Sequence, residues 1–174
     1  NHKSLHQGAL VGAGALPVFL PTARNAFGMI GPVDWEAWDE ASLREQIRAN
    51  PLVTDKSRAD APRPFRLACI QLCTYDGTIY NVQKVLEKIG HLCDYVLWDE
   101  AWIGYNAFHP LFDNHSPMRL KDLGPEMAGL FSTQSVHKQG AGFSQASQIH
   151  KRDEHIRDQK RYINHKRFNE SFLM

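Results

Sequence analysis

Three short apolar runs, each long enough for one buried strand, lie in the middle of the chain and constrain its fold more than any other feature. They are residues 65–72 (FRLACIQL), 95–98 (YVLW) and 129–134 (GLFSTQ). Between the first two runs, apolar residues recur at helical spacing: Ile79, Val82, Val85, Leu86 and Ile89. Parallel strands need a crossover that is usually a helix, so this alternation predicts an α/β fold with a mostly parallel sheet flanked by helices.

Local patterns predict the smaller elements. Residues 2–15 are helix-like and residues 16–20 (LPVFL) read as a buried strand, followed by a Gly-rich turn near Gly28 and Gly31. Ser42 to Glu45 matches a capping box, which predicts a short helix ending near Asn50, before Pro51.

Further turn signals lie in the middle of the chain. The polar stretch 55–64 predicts a loop, and Gly77 predicts a tight turn with positive φ. Gly90 is a suitable residue to follow the end of the helix that begins near Ile79.

Composition excludes several classes of function. The formal net charge of the 174 residues is +1, which gives no overall field to attract nucleic acid or an anionic membrane. No apolar run approaches the roughly 20 residues that cross a bilayer. The charge-rich residues 150–167 are expected to be a solvated surface or interface segment, since they lack the aromatic interleaving of nucleic-acid binders.

The cysteines do not form a disulfide pattern. Cys69, Cys73 and Cys93 are odd in number and two of them lie in an apolar run, where free Cys is a common core residue. A zinc site that adds His91 is a weaker alternative, and no metal is expected. Reduced thiols suit a cytoplasmic protein.

Two motif-like patterns near the amino terminus are dismissed on order and spacing. Gly8, Gly12 and Gly14 lie in a helix-like segment that precedes a strand, whereas a dinucleotide-binding loop follows one. His2 and His6 would share a helix face, but a metalloprotease motif needs Glu where Lys3 stands.

Two polar positions follow predicted strands and are the candidate site. Asp99 ends the run at 95–98, and Lys138 follows the run at 129–134 together with Ser135 and His137. Ligands bind beyond the carboxyl ends of such strands. A lysine that forms a Schiff base must be buried enough for its amine to be free, and the small residues 140–142 would let a ligand approach closely. Asp99, flanked by Trp98 and Trp102, could hold a buried cationic group such as a protonated pyridine ring.

In combination, several segments resemble the bacterial ornithine/lysine/arginine decarboxylases of the aspartate-aminotransferase-like fold. The segments are NHKS at residues 1–4 with His6, WDEAW at 98–102, STQSVHK at 132–138 and FSQASQIH at 143–150. The resemblance covers essentially the whole chain and keeps the order of the motifs. It implies the large domain of a fold-type-I enzyme that depends on pyridoxal 5'-phosphate (PLP).

The resemblance also implies a role for each candidate residue. Lys138 would carry the cofactor as a Schiff base, and Asp99 would pair with the pyridine nitrogen. His6 would stack on one face of the ring, and Ala101 would pack against the other. Ser135 would contact the phosphate, His137 would lie beside the Schiff base, and Trp102 would line the site. His137 and Lys138 are the candidate proton donors after CO₂ is lost.

The implied activity is decarboxylation of a basic amino acid, with ornithine favoured by residues 135–139 (SVHKQ) and by residues 150–157. Lysine or arginine decarboxylation is the alternative, and a non-catalytic assembly module is a second one. The expected partners are a small amino acid substrate and a second copy of the chain, with neither nucleic acid nor membrane. Residues 1–174 are expected to be a fragment of the PLP-binding major domain, with the phosphate loop upstream and substrate-binding residues downstream.

Overall fold

The computed structural model describes residues 3–163 and 165–171, and within them the chain forms an α/β structure. The strands are β1 (Thr22–Arg24), β2 (Ile30–Val33), β3 (Phe65–Gln71), β4 (Cys93–Asp99), β5 (Gly129–Ser135) and β6 (Ser147–Arg152). The α-helices are α1 (Lys3–His6), α2 (Glu40–Ala49), α3 (Val82–Ile89), α4 (Val136–Gln139) and α5 (His165–Glu170). A π-helix continues α1 over Gln7–Gly12, and short 3₁₀ helices include Trp35–Trp38 and Asn106–Phe108. None of the described helices is long and apolar enough to cross a membrane.

The main sheet has four strands in the order β3-β4-β5-β6. β3, β4 and β5 run parallel, and β6 is antiparallel to β5. The predicted α/β class with a mostly parallel sheet is therefore confirmed, and the three apolar runs that suggested it are β3, β4 and β5. β4 is buried along nearly its whole length because it lies between two strands and is covered on both faces, which is why it reads as a continuous apolar run.

One face of the sheet carries the main core. α3 covers it with four buried side chains at helical spacing: Val82, Val85, Leu86 and Ile89. The helix begins at Val82 because the Asn81 side chain accepts a hydrogen bond from the amide of Lys84 at 3.0 Å. Trp38 joins this core fully buried, with its ring 6.0 Å from that of Tyr80 in an edge-on arrangement.

The opposite face is built by a segment that was expected to be solvated. Residues 150–157 complete β6 and the turn after it, and Asp153 and Ile156 are buried. The Lys151 ammonium lies 2.7 Å and 2.8 Å from the two carboxylate oxygens of Asp153, and Tyr95 donates to Asp153 at 2.8 Å. The expectation of a solvated surface or interface segment fits residues 157–160, which are exposed, but not Asp153, Ile156 and Arg161, which are buried. The buried charges pair with other charges and with backbone carbonyls.

Arg161 shows the same behaviour further along the segment. Its guanidinium is buried, donates to the carbonyl of Met127 at 2.8 Å and lies 3.6 Å from Asp94. The charged residues of this segment therefore attach it to β4 and to the chain that leads into β5.

Other local expectations were also wrong. Residues 16–20 form no strand: Pro17 and Pro21 each lack an amide donor, and Val18 and Leu20 instead pack against the main core from an irregular segment. The helix expected from a capping box at Ser42 begins at Glu40, because Asp39 is the residue whose side chain caps it, accepting from Ser42 at 3.2 Å. It ends at Ala49, as expected.

Two glycine expectations had different outcomes. Gly77 has a φ of 85°, which confirms the tight turn after β3. Gly90 lies at the end of α3 with a φ of −63°, so it is not the left-handed residue that was expected. A Cβ there would meet the backbone of Leu86 at 2.6 Å, so close packing is what favours glycine at this position.

The buried pair on the second face gives a stability prediction. Asp153→Asn leaves the Lys151 ammonium buried without a countercharge, so the full-length protein should lose about 3–5 kcal/mol of unfolding free energy. Glu154→Gln removes one charge from the neighbouring exposed carboxylate and should change stability by less than about 0.5 kcal/mol. Thermal unfolding of both variants checks this, and equal midpoints would contradict the proposed role of the pair.

Candidate active site

A pocket of about 340 Å³ opens where β4 and β5 end and β6 begins. Its wall contains Asp99, Ala101, Thr133, Gln134, Ser135, Ser147, Gln148 and Ile149. Asp99 is in register with Thr133, and Ser135 with Ser147, so the ends of two parallel strands and the start of an antiparallel one meet here. This is the edge of a parallel sheet at which ligands generally bind.

Asp99 is placed by the turn that ends β4. One of its carboxylate oxygens, Oδ1, accepts a hydrogen bond from the amide of Ala101 at 3.1 Å. The bond folds the chain back at once, so Ala101 lines the same pocket. Asp99 is half-buried, which exposes its carboxylate to a ligand while reducing its contact with water.

Lys138 lies on α4, the short helix that begins directly after Ser135. Its ammonium is 4.8 Å from the centre of the Trp102 ring, a cation–π distance. The Tyr75 ring packs edge-on against Trp102 with 5.0 Å between ring centroids. The turns that follow β3, β4 and β5 thus each contribute one side chain to a single stack of Tyr75, Trp102 and Lys138.

Lys138 is exposed in the described structure, whereas a lysine that forms a Schiff base needs enough burial to keep its amine free. Lys138 is exposed because α4 continues past the end of β5, beyond the edge of the sheet. Within the described part of the chain, the Trp102 ring covers one side of the Lys138 ammonium.

His137 holds the loop that follows α4 in place through its contacts with Ala146. Its Nδ1 lies 2.8 Å from the carbonyl oxygen of Ala146 and 3.2 Å from the amide nitrogen of the same residue. Gly142 also belongs to this loop, and a Cβ there would meet Cγ1 of Val136 at 2.6 Å. The small residues after Lys138 therefore allow the loop to pack on the start of α4.

His6 is the predicted site residue that the structure does not bring to the others. It ends α1 with an exposed side chain, and its ring lies 6.0 Å from that of Phe19. The structure therefore joins Asp99, Ala101 and Ser135 in one pocket, with Trp102 on the turn after β4 and with His137 and Lys138 on α4.

Sequence reasoning missed Glu100, which is fully buried behind the pocket. Its Oε2 accepts a hydrogen bond from the side chain of Gln134, and Gln134 accepts one from Gln148 at 2.7 Å. Burial raises the pKa of Glu100 to about 7. Successive residues of a strand face opposite ways, so only one acid of the Asp99–Glu100 pair can face the pocket, and the sequence does not tell which.

The cysteines behave as core residues. Burial raises the pKa of Cys69 to about 11 and that of Cys93 to about 12, so both thiols stay protonated at neutral pH. His91 pairs with Glu40 at 3.0 Å instead of facing them. This arrangement gives no support to the zinc alternative.

A family model described as the Orn/Lys/Arg decarboxylase major domain matches residues 1–174, and the chain belongs to this family. It is 56% identical to the inducible ornithine decarboxylase of Escherichia coli over 174 residues, covering 100% of this chain and 23% of that protein. It is 54% identical to the ornithine decarboxylase of Haemophilus influenzae over 174 residues, covering 100% of this chain and 24% of that protein. The chain thus spans about a quarter of the length of these curated relatives.

Solved structures agree with the family assignment. Lysine decarboxylase A from Pseudomonas aeruginosa superimposes with a TM-score of 0.86 at 34% identity, covering 100% of this chain and 22% of that one. The constitutive lysine decarboxylase of Escherichia coli gives a TM-score of 0.79 at 30% identity, covering 100% of this chain and 21% of that one. The fold is therefore the one that the sequence resemblance implied.

The buried carboxyl predicts a pH-dependent stability. Burial raises the pKa of Glu100 to about 7, so the folded protein retains a proton that the unfolded chain releases at lower pH. Stability from this group is therefore present at acid pH and is lost as the pH rises toward about 7. Glu100→Gln cannot ionise, so between about pH 5 and about pH 8 it should lose less stability than the wild type, by on the order of 3 kcal/mol.

Thermal unfolding of the full-length protein at a series of pH values measures this difference. Glu87→Gln is the matched control, because Glu87 is an exposed carboxylate that also bonds to an amide side chain, that of Gln83. Parallel pH curves for the wild type and Glu100→Gln would show that Glu100 does not hold the proton.

Proposed function

We propose that the full-length protein is a PLP-dependent decarboxylase that converts L-ornithine to putrescine. The choice of substrate rests on a difference in sequence identity between two groups of relatives. The chain is 54% or 56% identical to four ornithine decarboxylases, but 31–35% identical to relatives named lysine or arginine decarboxylase. All of these relatives match nearly the whole of this chain, so the difference in sequence identity between the two groups favours ornithine as the substrate.

The donor set of the pocket fits the cofactor. A half-buried carboxylate in the pocket wall, that of Asp99, suits a protonated pyridine nitrogen. Lys138 is not in the pocket wall, but it lies on α4, which begins directly after Ser135, and its primary amine suits the aldehyde. Ser135 adds a hydroxyl to the pocket wall that suits a phosphate oxygen. The volume of about 340 Å³ lies within the usual range for cofactor sites.

Each residue then has a defined task. Lys138 anchors the cofactor, Asp99 holds a proton at the pyridine nitrogen, and Ser135 contacts the phosphate. Ala101 leaves room for the flat ring beside Asp99. Trp102 orients the Lys138 amine through the face of its ring, as the distance of 4.8 Å suggests. His6 would stack on the ring if the segment 3–12 lies closer to the pocket when the site is assembled.

The chain's residues control protons and geometry during the reaction. When bound, PLP supplies the electron sink that accepts the electron pair released as the carboxylate leaves as CO₂. Asp99 stabilises positive charge at the pyridine nitrogen throughout. Lys138 and His137 are the candidate donors of the proton that Cα then needs, because they adjoin each other on α4.

The site needs further residues to close. Lys138 is exposed and the pocket is open, whereas decarboxylation requires a site that excludes water. We propose that other parts of the full-length protein, including a second subunit, cover the exposed side of Lys138 and select the substrate by the length of its side chain.

The substrate assignment predicts a higher kcat/KM for ornithine than for lysine or arginine. One methylene group changes discrimination by about 1–3 kcal/mol, so the preference for ornithine over lysine should be roughly 10–200-fold. Amine production by the full-length protein with PLP measures it. Lys138→Ala should abolish turnover, whereas Lys121→Ala, which changes another exposed lysine, should not. A ratio that favours lysine or arginine would contradict the proposal, as would turnover by the Lys138 variant.

The role of Asp99 predicts a large effect on the chemical step. Asp99→Ala removes the carboxylate that keeps the pyridine nitrogen protonated, so kcat should fall by about 10²–10⁴-fold, at about 1.4 kcal/mol for each factor of ten. Asp99→Glu keeps the charge and should lose less. Steady-state kinetics on both variants, each with the bound cofactor quantified, checks this. Near-normal kcat for the alanine variant would show that Asp99 does not face the ring.

A further inference from the structure

Three polar side chains form a continuous path from the protein core to the pocket, and we call them the amide relay: Glu100, Gln134 and Gln148. Gln134 is buried in β5, donates from Nε2 to Oε2 of Glu100, and accepts at Oε1 from Nε2 of Gln148 at 2.7 Å. Gln148 lies on β6 and lines the pocket together with Asp99. A buried carboxyl is thus connected to the candidate cofactor pocket by two amides.

The hydrogen bonds of the relay all point the same way. Each amide donates toward Glu100, so the two amide dipoles are aligned head to tail. Hydrogen bonds in such a chain polarise one another, and a charge at one end strengthens the acceptor at the other. Here the far acceptor is the side-chain amide oxygen of Gln148, a residue of the pocket wall.

Burial favours a proton on Glu100 and outweighs the neighbouring Gln134, Ser132 and Asn106 side chains, which favour the charged form. Oε1 of Glu100 and Oδ1 of Asn106 are both buried acceptors without a hydrogen-bond partner in the described structure, and Asn106 and Ser132 adjoin the carboxyl. A buried acceptor left without a donor costs free energy. A protonated Oε1 supplies that donor while Oε2 still accepts from Gln134.

Among the described groups that act on Glu100, Asp99 is the charged one. Asp99 is the last residue of β4 and directly precedes Glu100. The other groups are uncharged: Ser132 and Gln134 on β5, and Asn106 on its 3₁₀ helix. A negative Asp99 opposes ionisation of its neighbour. The state of the relay is therefore linked to the residue that we assign to the pyridine nitrogen.

We propose, on the basis of the function proposed above, that Glu100 is a positioning residue for the cofactor site. Through Gln134 it fixes the Gln148 amide beside Asp99, and its charge state sets how strongly the Gln148 oxygen accepts a hydrogen bond from an N–H donor in the pocket. With Glu100 neutral the relay is a weak acceptor, and with Glu100 ionised it is a strong one. The electronic state of the bound cofactor should then respond to pH through a group that never touches it.

The first arm of the test reads the proton on Glu100 without any cofactor. The full-length apoprotein is titrated from about pH 5 to about pH 9, a range that spans the pKa of about 7, while infrared difference spectra record the C=O stretch of protonated carboxyls. The wild type should lose one such band as the pH rises, and Glu100→Gln should lack it. The same band in both proteins would overturn the proposal.

The second arm reads the coupling to the pocket. The visible absorbance of bound PLP is titrated over the same range in the wild type, Glu100→Gln and Gln148→Leu. The wild type should show a shift that tracks the infrared band. Both variants should lose this shift, although in Gln148→Leu the carboxyl band still titrates. Glu87→Gln, the exposed carboxylate bonded to Gln83, should behave as the wild type does.

The outcomes separate the two proposals. A wild type that binds no PLP would overturn the proposed function and with it the coupling, whereas the infrared arm would still report on the Glu100 proton. A wild type that binds PLP, with the same absorbance titration in both variants, would overturn the relay alone. If Glu100→Gln does not fold, Gln148→Leu decides the matter, because Gln148 is exposed and its replacement leaves the core intact.

Discussion

The site depends on the parallel register of β3, β4 and β5. Ile70 lies opposite Trp98, and Trp98 opposite Ser132, so the three strands reach the same edge of the sheet within a residue or two of one another. Tyr75, Trp102 and Lys138 occupy the turns that follow and meet there. A slip of one residue in β4 would move Asp99 to the opposite face and bring Glu100 to the pocket. The burial of β4 on both faces keeps this register, because its apolar side chains are packed from two sides.

The same register separates the two neighbouring acids. Asp99 reaches the pocket, where we propose that it pairs with the ring nitrogen, and Glu100 is held in the core, where charge is unfavourable. Opposite environments for adjacent carboxyls are a common way to give two acids different tasks. The amide relay joins these environments, so the buried acid is not isolated from the site.

The sequence predicted the central features because they depend on local patterns. The apolar runs indicated β3, β4 and β5, and the residues that follow β4 and β5 indicated the edge of the sheet at which the pocket opens. Features that depend on long-range pairing were not predictable. Lys151 looks like a surface lysine until β6 pairs with β5 and buries it, together with Asp153, beside Tyr95. Residues 16–20 look like a strand until their prolines and packing are considered. Glu100 and Gln148 are distant in sequence, and their link through Gln134 exists only when β4, β5 and β6 lie side by side.

The central claim is that the carboxyl ends of β4 and β5 hold the cofactor between Asp99 and Lys138. An experimental structure of the full-length protein with bound PLP tests this most directly. The account predicts density continuous from Nζ of Lys138 to the cofactor, a carboxylate oxygen of Asp99 within hydrogen-bond distance of the pyridine nitrogen, and Ser135 at the phosphate. A cofactor attached to another lysine, or one whose pyridine nitrogen lies away from Asp99, would contradict it.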